Sequence, residues 1–126
     1  MLTLQTKINV SDNSGVKTVK CIKVLRNFTK KGKFLGTFLI VSVKELKLNK
    51  AVSSKIKKGQ LFKALVVRSK SSFMLKNGVV KKFDKGFVVL LTKQNNFAGT
   101  RIFGVLPKQI KMFRKIQLGA LALGFA

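Results

Sequence analysis

Hydrophobic positions in this chain recur at short range up to about residue 93, and the rhythm changes after it. Thr37–Lys44 (TFLIVSVK), Leu61–Arg68 (LFKALVVR) and Gly86–Thr92 (GFVVLLT) are short runs rich in β-branched residues, the composition of strands. Asp12-Asn13-Ser14-Gly15, Lys31-Gly32-Lys33, Lys58-Gly59 and Lys76-Asn77-Gly78 lie between such runs as turn signals. Asn77-Gly78, set between Phe73–Leu75 and Val79–Phe83, predicts a hairpin because both residues tolerate positive φ. Val16–Val24 alternates imperfectly, with Lys17, Lys20 and Lys23 among its apolar residues, and predicts a strand with a bulge. About five or six short strands are too few for two packed sheets and predict a small closed or nearly closed β-barrel. Closure also removes the edges that such apolar strands would expose.

Beyond Pro107, the only proline, the period lengthens. Pro107 suits the first turn of a helix, where its missing N–H costs nothing. Ile110, Phe113 and Ile116, spaced three apart, predict one or two short helical turns over Lys108–Lys115. The chain shows neither an internal repeat nor a linker. It reads as mainly β and as one domain, 1–126, with a barrel over about 1–104 and a C-terminal helical arm over about 105–126. The longest uncharged apolar stretch, Leu118–Ala126, falls short of the ~20 residues of a membrane helix. The opening MLTLQTKINV alternates polar and apolar, unlike a transit or signal pattern.

Charge narrows the partner. Lys and Arg number 27 against three acids, Asp12, Glu45 and Asp84, for a formal charge of +24. With 46% hydrophobic residues the chain is no disordered basic tail. A folded body so charged repels itself and is relieved by a polyanion, either a nucleic acid or an anionic membrane. The same composition removes most chemistry. There is no His, the single Cys21 forms neither an internal disulfide nor a thiolate cluster, and the carboxylates are scattered. The expectation is a protein that is not an enzyme, with no catalytic residue, metal or cofactor.

Several residues stand out as candidate contacts. In the Asp12–Gly15 turn, Asp12 can accept local N–H bonds and Gly15 supply positive φ, which leaves Asn13 and Ser14 for sugar-phosphate. Lys17, Lys20 and Lys23 form one basic cluster, Lys30, Lys31 and Lys33 a second, and Lys55, Lys57 and Lys58 a third. Lys81-Lys82 and Lys108, Lys111 and Arg114-Lys115 add two more. A surface built only for solubility mixes both signs, so such clusters point to phosphate. Arg68, at a strand end, is a candidate either for a nucleic-acid phosphate or for an internal bond. Of the eleven Phe, Phe38, Phe62, Phe87 and Phe103 sit in apolar runs and are expected in the core. Phe28, Phe34 and Phe73, near loop lysines, are candidates for base stacking, and Cys21 is expected to be buried.

VSDNSGVKTVKCIKVL (10–25), IVSVKE (40–45), KIKKGQLFKALVVRSK (55–70), NGVVKKFD (77–84) and GTRIFG (99–104) together resemble the universal large-subunit ribosomal protein fourteen family. The resemblance covers nearly the whole chain, in order and close to the family's spacing. It implies a five-stranded barrel followed by an arm with two small helices. It also implies binding to large-subunit rRNA, contact with large-subunit proteins three and nineteen, and a bridge to small-subunit rRNA. A ribosome-silencing factor is implied near GTRIFG, with Thr100 and Arg101 at that interface. Where the family pattern usually carries an acid, this chain has Thr37, Gln60, Lys85 and Gln109. Two rivals share the charge argument: a cationic membrane-active protein and a nonspecific DNA-binding protein. Lys over Arg, abundant Phe, Asn and Ile, and the absence of His and Trp suggest an AT-rich genome and an organelle-encoded protein of the mitochondrial matrix. A plastid or a bacterial cytoplasm is the alternative.

Overall fold

The computed structural model of the protein describes residues 5–25, 37–47, 56–69, 73–74, 78–83, 85–94, 96–99 and 102–104. Their strands are β1 (Lys7–Val10), β2 (Val16–Val24), β3 (Phe38–Leu46), β4 (Leu61–Arg68), β5 (Phe73–Met74), β6 (Val80–Lys81) and β7 (Phe87–Leu91). β1, β2, β3, β4 and β7 close into a barrel in that order, and β5 pairs with β6 as a separate ribbon. The expected barrel is present and closed. Neighbours run antiparallel except at the seam, where β1 meets β7 in parallel through Asn9↔Phe87 and Val10↔Val88. The expected bulge in β2 appears as register shifts against β3, at Val16/Thr18, Thr18/Val19 and Cys21/Lys23. The hairpin expected around Asn77-Gly78 is present as β5 and β6, paired Phe73↔Lys81 and Met74↔Val80. The arm expected over Lys108–Lys115 lies outside the described residues.

Alternation along the strands fills the barrel. Ile8, Val10, Val19, Cys21, Leu39, Val41, Val43, Ala64, Val66, Val88 and Leu90 form its buried interior. Each Val, Leu or Ile among them contributes up to about 1.5–3 kcal/mol when taken out of water. Cys21 is fully buried, as expected. Leu65, Val67, Val89 and Leu91 build a second buried cluster with Ile102 on the opposite face of β4 and β7. These two strands are therefore buried on both faces, whereas β2 carries exposed Lys17, Ile22 and Lys23. The sequence reflects this, since ALVV and VVLL are unbroken apolar runs while VKTVKCIKV is interrupted by lysines. The chain itself supplies the cover. Phe97 bridges to Leu91, and the Ala98 amide donates to the Leu90 carbonyl at 3.0 Å.

One core expectation is corrected. Phe38, Phe62 and Phe87 pack partly buried against the two clusters, but Phe103 is 43% exposed. Ile102 takes the inward position at 1% exposure. In extended chain successive side chains point to opposite sides, so Phe103 turns outward.

Candidate nucleic-acid interface

The turn after β1 is organised by one buried acid. Asp12 is fully buried, and its Oδ1 accepts from the Ser14 amide at 3.1 Å and from the Ser14 hydroxyl. Its Oδ2 accepts from the Leu90 amide of β7, also at 3.1 Å. Burial raises the Asp12 carboxyl above its ordinary value, while the bonds from Ser14 and Leu90 and the charge of Lys47 pull the other way. Gly15 has φ +93°, as expected of the turn, and its carbonyl accepts from the Lys47 amide at 2.8 Å. The same carboxylate thus shapes the turn and pins it to the barrel. Its reach to β7 is invisible in the sequence, where the partners stand 78 residues apart.

Residues 97–99 and 102–104 then close over this turn. Asp12 forms a β-bridge with Ile102, and the Phe103 amide donates to the Ser11 carbonyl at 2.6 Å. Gly99 lies so close to Asn13 that a Cβ there would stand 2.7 Å from Asn13 Oδ1. Arg68, the last residue of β4, donates from Nη2 to the Phe103 carbonyl at 2.8 Å. Its guanidinium stacks over the Phe87 ring at 4.1 Å and lies against Gly104. Burial lowers the guanidinium below its ordinary value. Both backbone polar groups of Phe103 are held, and its exposed ring carries the Lys47 ammonium at 5.1 Å. Of the two roles expected for Arg68, the internal bond is the one visible in the fold. Ser11, Lys47 and Phe103 were not among the expected site residues, because their roles depend on a crossing of distant segments.

The expected basic residues divide into three groups. Lys17 is exposed and lies 3.9 Å from Glu45 across β2 and β3, the single ion pair among the described residues. Lys20 and Lys23 lie on the outer wall of β2, the former half-buried and the latter exposed. Lys57 and Lys58 are exposed on a tight turn, where the Gln60 side-chain oxygen accepts from the Lys57 amide at 3.1 Å. Gln60 thus provides the local acceptor of an acid without its charge. Lys30, Lys31, Lys33, Lys55, Thr100 and Arg101 lie outside the described residues, as do Phe28 and Phe34. Phe73 falls in β5.

Three of the segments that carry the resemblance, 10–25, 55–70 and 99–104, meet in this one constellation. A family model described as ribosomal protein L14p/L23e matches residues 1–123. The chain belongs to that family. Membership makes it a structural protein of the large ribosomal subunit, in a family that binds rRNA and other ribosomal proteins and is not known for enzymatic activity. It also decides between the readings that charge alone left open. An L14p/L23e protein meets its polyanion in the ribosome, and the constellation around Asp12 holds two of its surface segments in fixed relation.

Proposed function

We propose that this protein stabilises the folded large-subunit rRNA and extends a bridge across the subunit interface to small-subunit rRNA, with no turnover. The whole chain acts as one domain, with the barrel continuing into an arm beyond about residue 104. Lysines displace condensed counterions from phosphate while the barrel fixes their spacing. Asn13, Ser14, Lys17, Lys20, Lys23, Lys30, Lys31, Lys33, Lys55, Lys57 and Lys58 are the RNA contacts. Arg68 adds its charge from behind the segment it holds. Thr100 and Arg101 face the opposing subunit and a ribosome-silencing factor, and large-subunit proteins three and nineteen are the protein neighbours. The compositional bias supports a mitochondrial ribosome over a plastid or bacterial one.

The disposition of charge supports this most directly. Against 27 cations stand three acids, of which Asp12 is buried in its turn and Glu45 is engaged by Lys17. With about 6–10 phosphates neutralised, log K for large-subunit rRNA against log salt should slope at roughly −4 to −9. Filter binding across a salt series measures it, and a slope shallower than about −2 would overturn the electrostatic mechanism.

A further inference from the structure

The outer wall of β1, β2 and β3 is basic where that of β4 and β7 is covered. Register sets Lys7 opposite Lys20 and Lys20 opposite Ser42, one row across three strands. Their neighbours Ile8, Val19, Cys21, Val41 and Val43 are buried inside the barrel, so Lys7 and Lys20 stand on the outer side of the wall, where Ser42 is itself buried. Lys44 follows Ser42 by two residues on the same face. Lys23, beyond the bulge that begins at Cys21, stands opposite Ile40 in the next row. Side chains directly opposed across antiparallel strands stand about 4.5–5.5 Å apart at Cβ, and diagonal neighbours about 7–8 Å apart. Like charges at that separation destabilise a sheet unless an anion lies between them. Glu45 is taken by Lys17, Asp12 is buried in its turn, and Asp84 lies outside the described residues.

We propose that Lys7, Lys20, Lys23 and Lys44 form a seat for consecutive phosphodiester groups of RNA laid across β1, β2 and β3. The seat rests on the rRNA-binding reading and deepens it, since it places one RNA tract on the rigid wall of the barrel and adds Lys7 and Lys44 to the contacts. Ammonium groups on paired strands recognise the spacing of phosphates and carry no base readout. The β2 bulge between Cys21 and Lys23 sets Lys23 opposite Ile40, in the row next to the one that Lys7 and Lys20 begin. In the free protein the opposed lysines are a fault, and bound phosphate removes it.

The full chain carrying Lys7→Gln and Lys20→Gln tests the seat against a control with Lys85→Gln and Lys93→Gln, which removes equal charge from exposed positions elsewhere. Binding of transcribed large-subunit rRNA should lose about 1.4–1.8 units of salt slope in the first variant, two contacts' worth, and little in the control. At low salt the first variant should also melt about 2–5 °C higher than wild type, the gain fading as salt screens it. Lys7→Gln alone should give about half of the slope change but most of the gain in melting temperature, since removing either lysine ends the opposed pair. Stabilisation of the free chain together with loss of RNA affinity is the signature of the seat. An unchanged slope in a steeply binding wild type, an equal loss in the control, or a lower melting temperature at low salt overturns the seat and leaves rRNA binding standing. A wild-type slope shallower than about −2 removes the rRNA reading and the seat with it.

Discussion

Asp12 makes the strongest single-residue claims on the fold. A carboxyl whose folded value is raised binds its proton more tightly in the folded state than in the unfolded chain. Its contribution is therefore complete below the ordinary value of 3.8 and is lost as pH rises through the higher folded value. A protonated Asp12 still accepts from the two amides and can donate to the Ser14 hydroxyl. The stability of wild type relative to Asp12→Asn should accordingly shrink as pH rises from below 4 through that window, read by denaturant unfolding at each pH. Gly15→Val forces a β-branched residue to φ +93° and should cost about 1–3 kcal/mol, seen as an earlier circular dichroism melt. The expected turn role was legible at both residues because DNSG is short-range chemistry.

At the scale of elements, β4 and the 102–104 segment are joined by one guanidinium. Arg68→Ala removes a charged donor from the Phe103 carbonyl and the stacking on Phe87, and should cost about 1–2 kcal/mol. Gly104 has φ +81°, so Gly104→Ala is strained by its backbone alone, and the added methyl would also collide with Arg68 Nη1. The double variant should therefore cost less than the sum of the singles, with a coupling of about 0.5–3 kcal/mol in a thermal unfolding cycle. Additive losses would show that the two residues act separately. Arg68 was legible as a candidate for an internal bond, but its partner was not. The carbonyl that it meets lies 35 residues away, and only closure of the barrel brings them together. Phe103 was misplaced for a related reason. An apolar run marks a segment as buried, but which of two adjacent residues faces in depends on what the segment lies against.

For the whole molecule, self-repulsion at +24 is the governing term. The isolated chain should be marginally stable at low salt, and added salt or large-subunit rRNA should raise its melting temperature. Unfolding that ignored both would show that the barrel tolerates its charge unaided. Replacing Lys30, Lys31 and Lys33 by Gln should not lower the melting temperature, since crowded like charges add no stability, while flattening the rRNA salt slope by about 2–3 units. Arg101→Ala should spare both quantities and impair subunit joining, read by sedimentation of reconstituted subunits. Melt, RNA affinity and joining are thus assigned to different parts of one chain.

Composition and alternation were enough to give a closed or nearly closed β-barrel with an apolar interior, a bulged β2 and a DNSG turn, and to point to a polyanionic partner. Each of these rests on short-range pattern or on a sum over the chain, which no folding is needed to read. Only the tertiary structure decided which lysines stand opposite one another, since Lys7 and Lys20 become neighbours through strand register. It likewise decided that β4 and β7 are covered on their outer face by the chain's own Phe97 and Ile102. The physical reason is the same in both cases. A side chain's direction is local, but what it points at is set by strands and segments that meet from far apart in sequence.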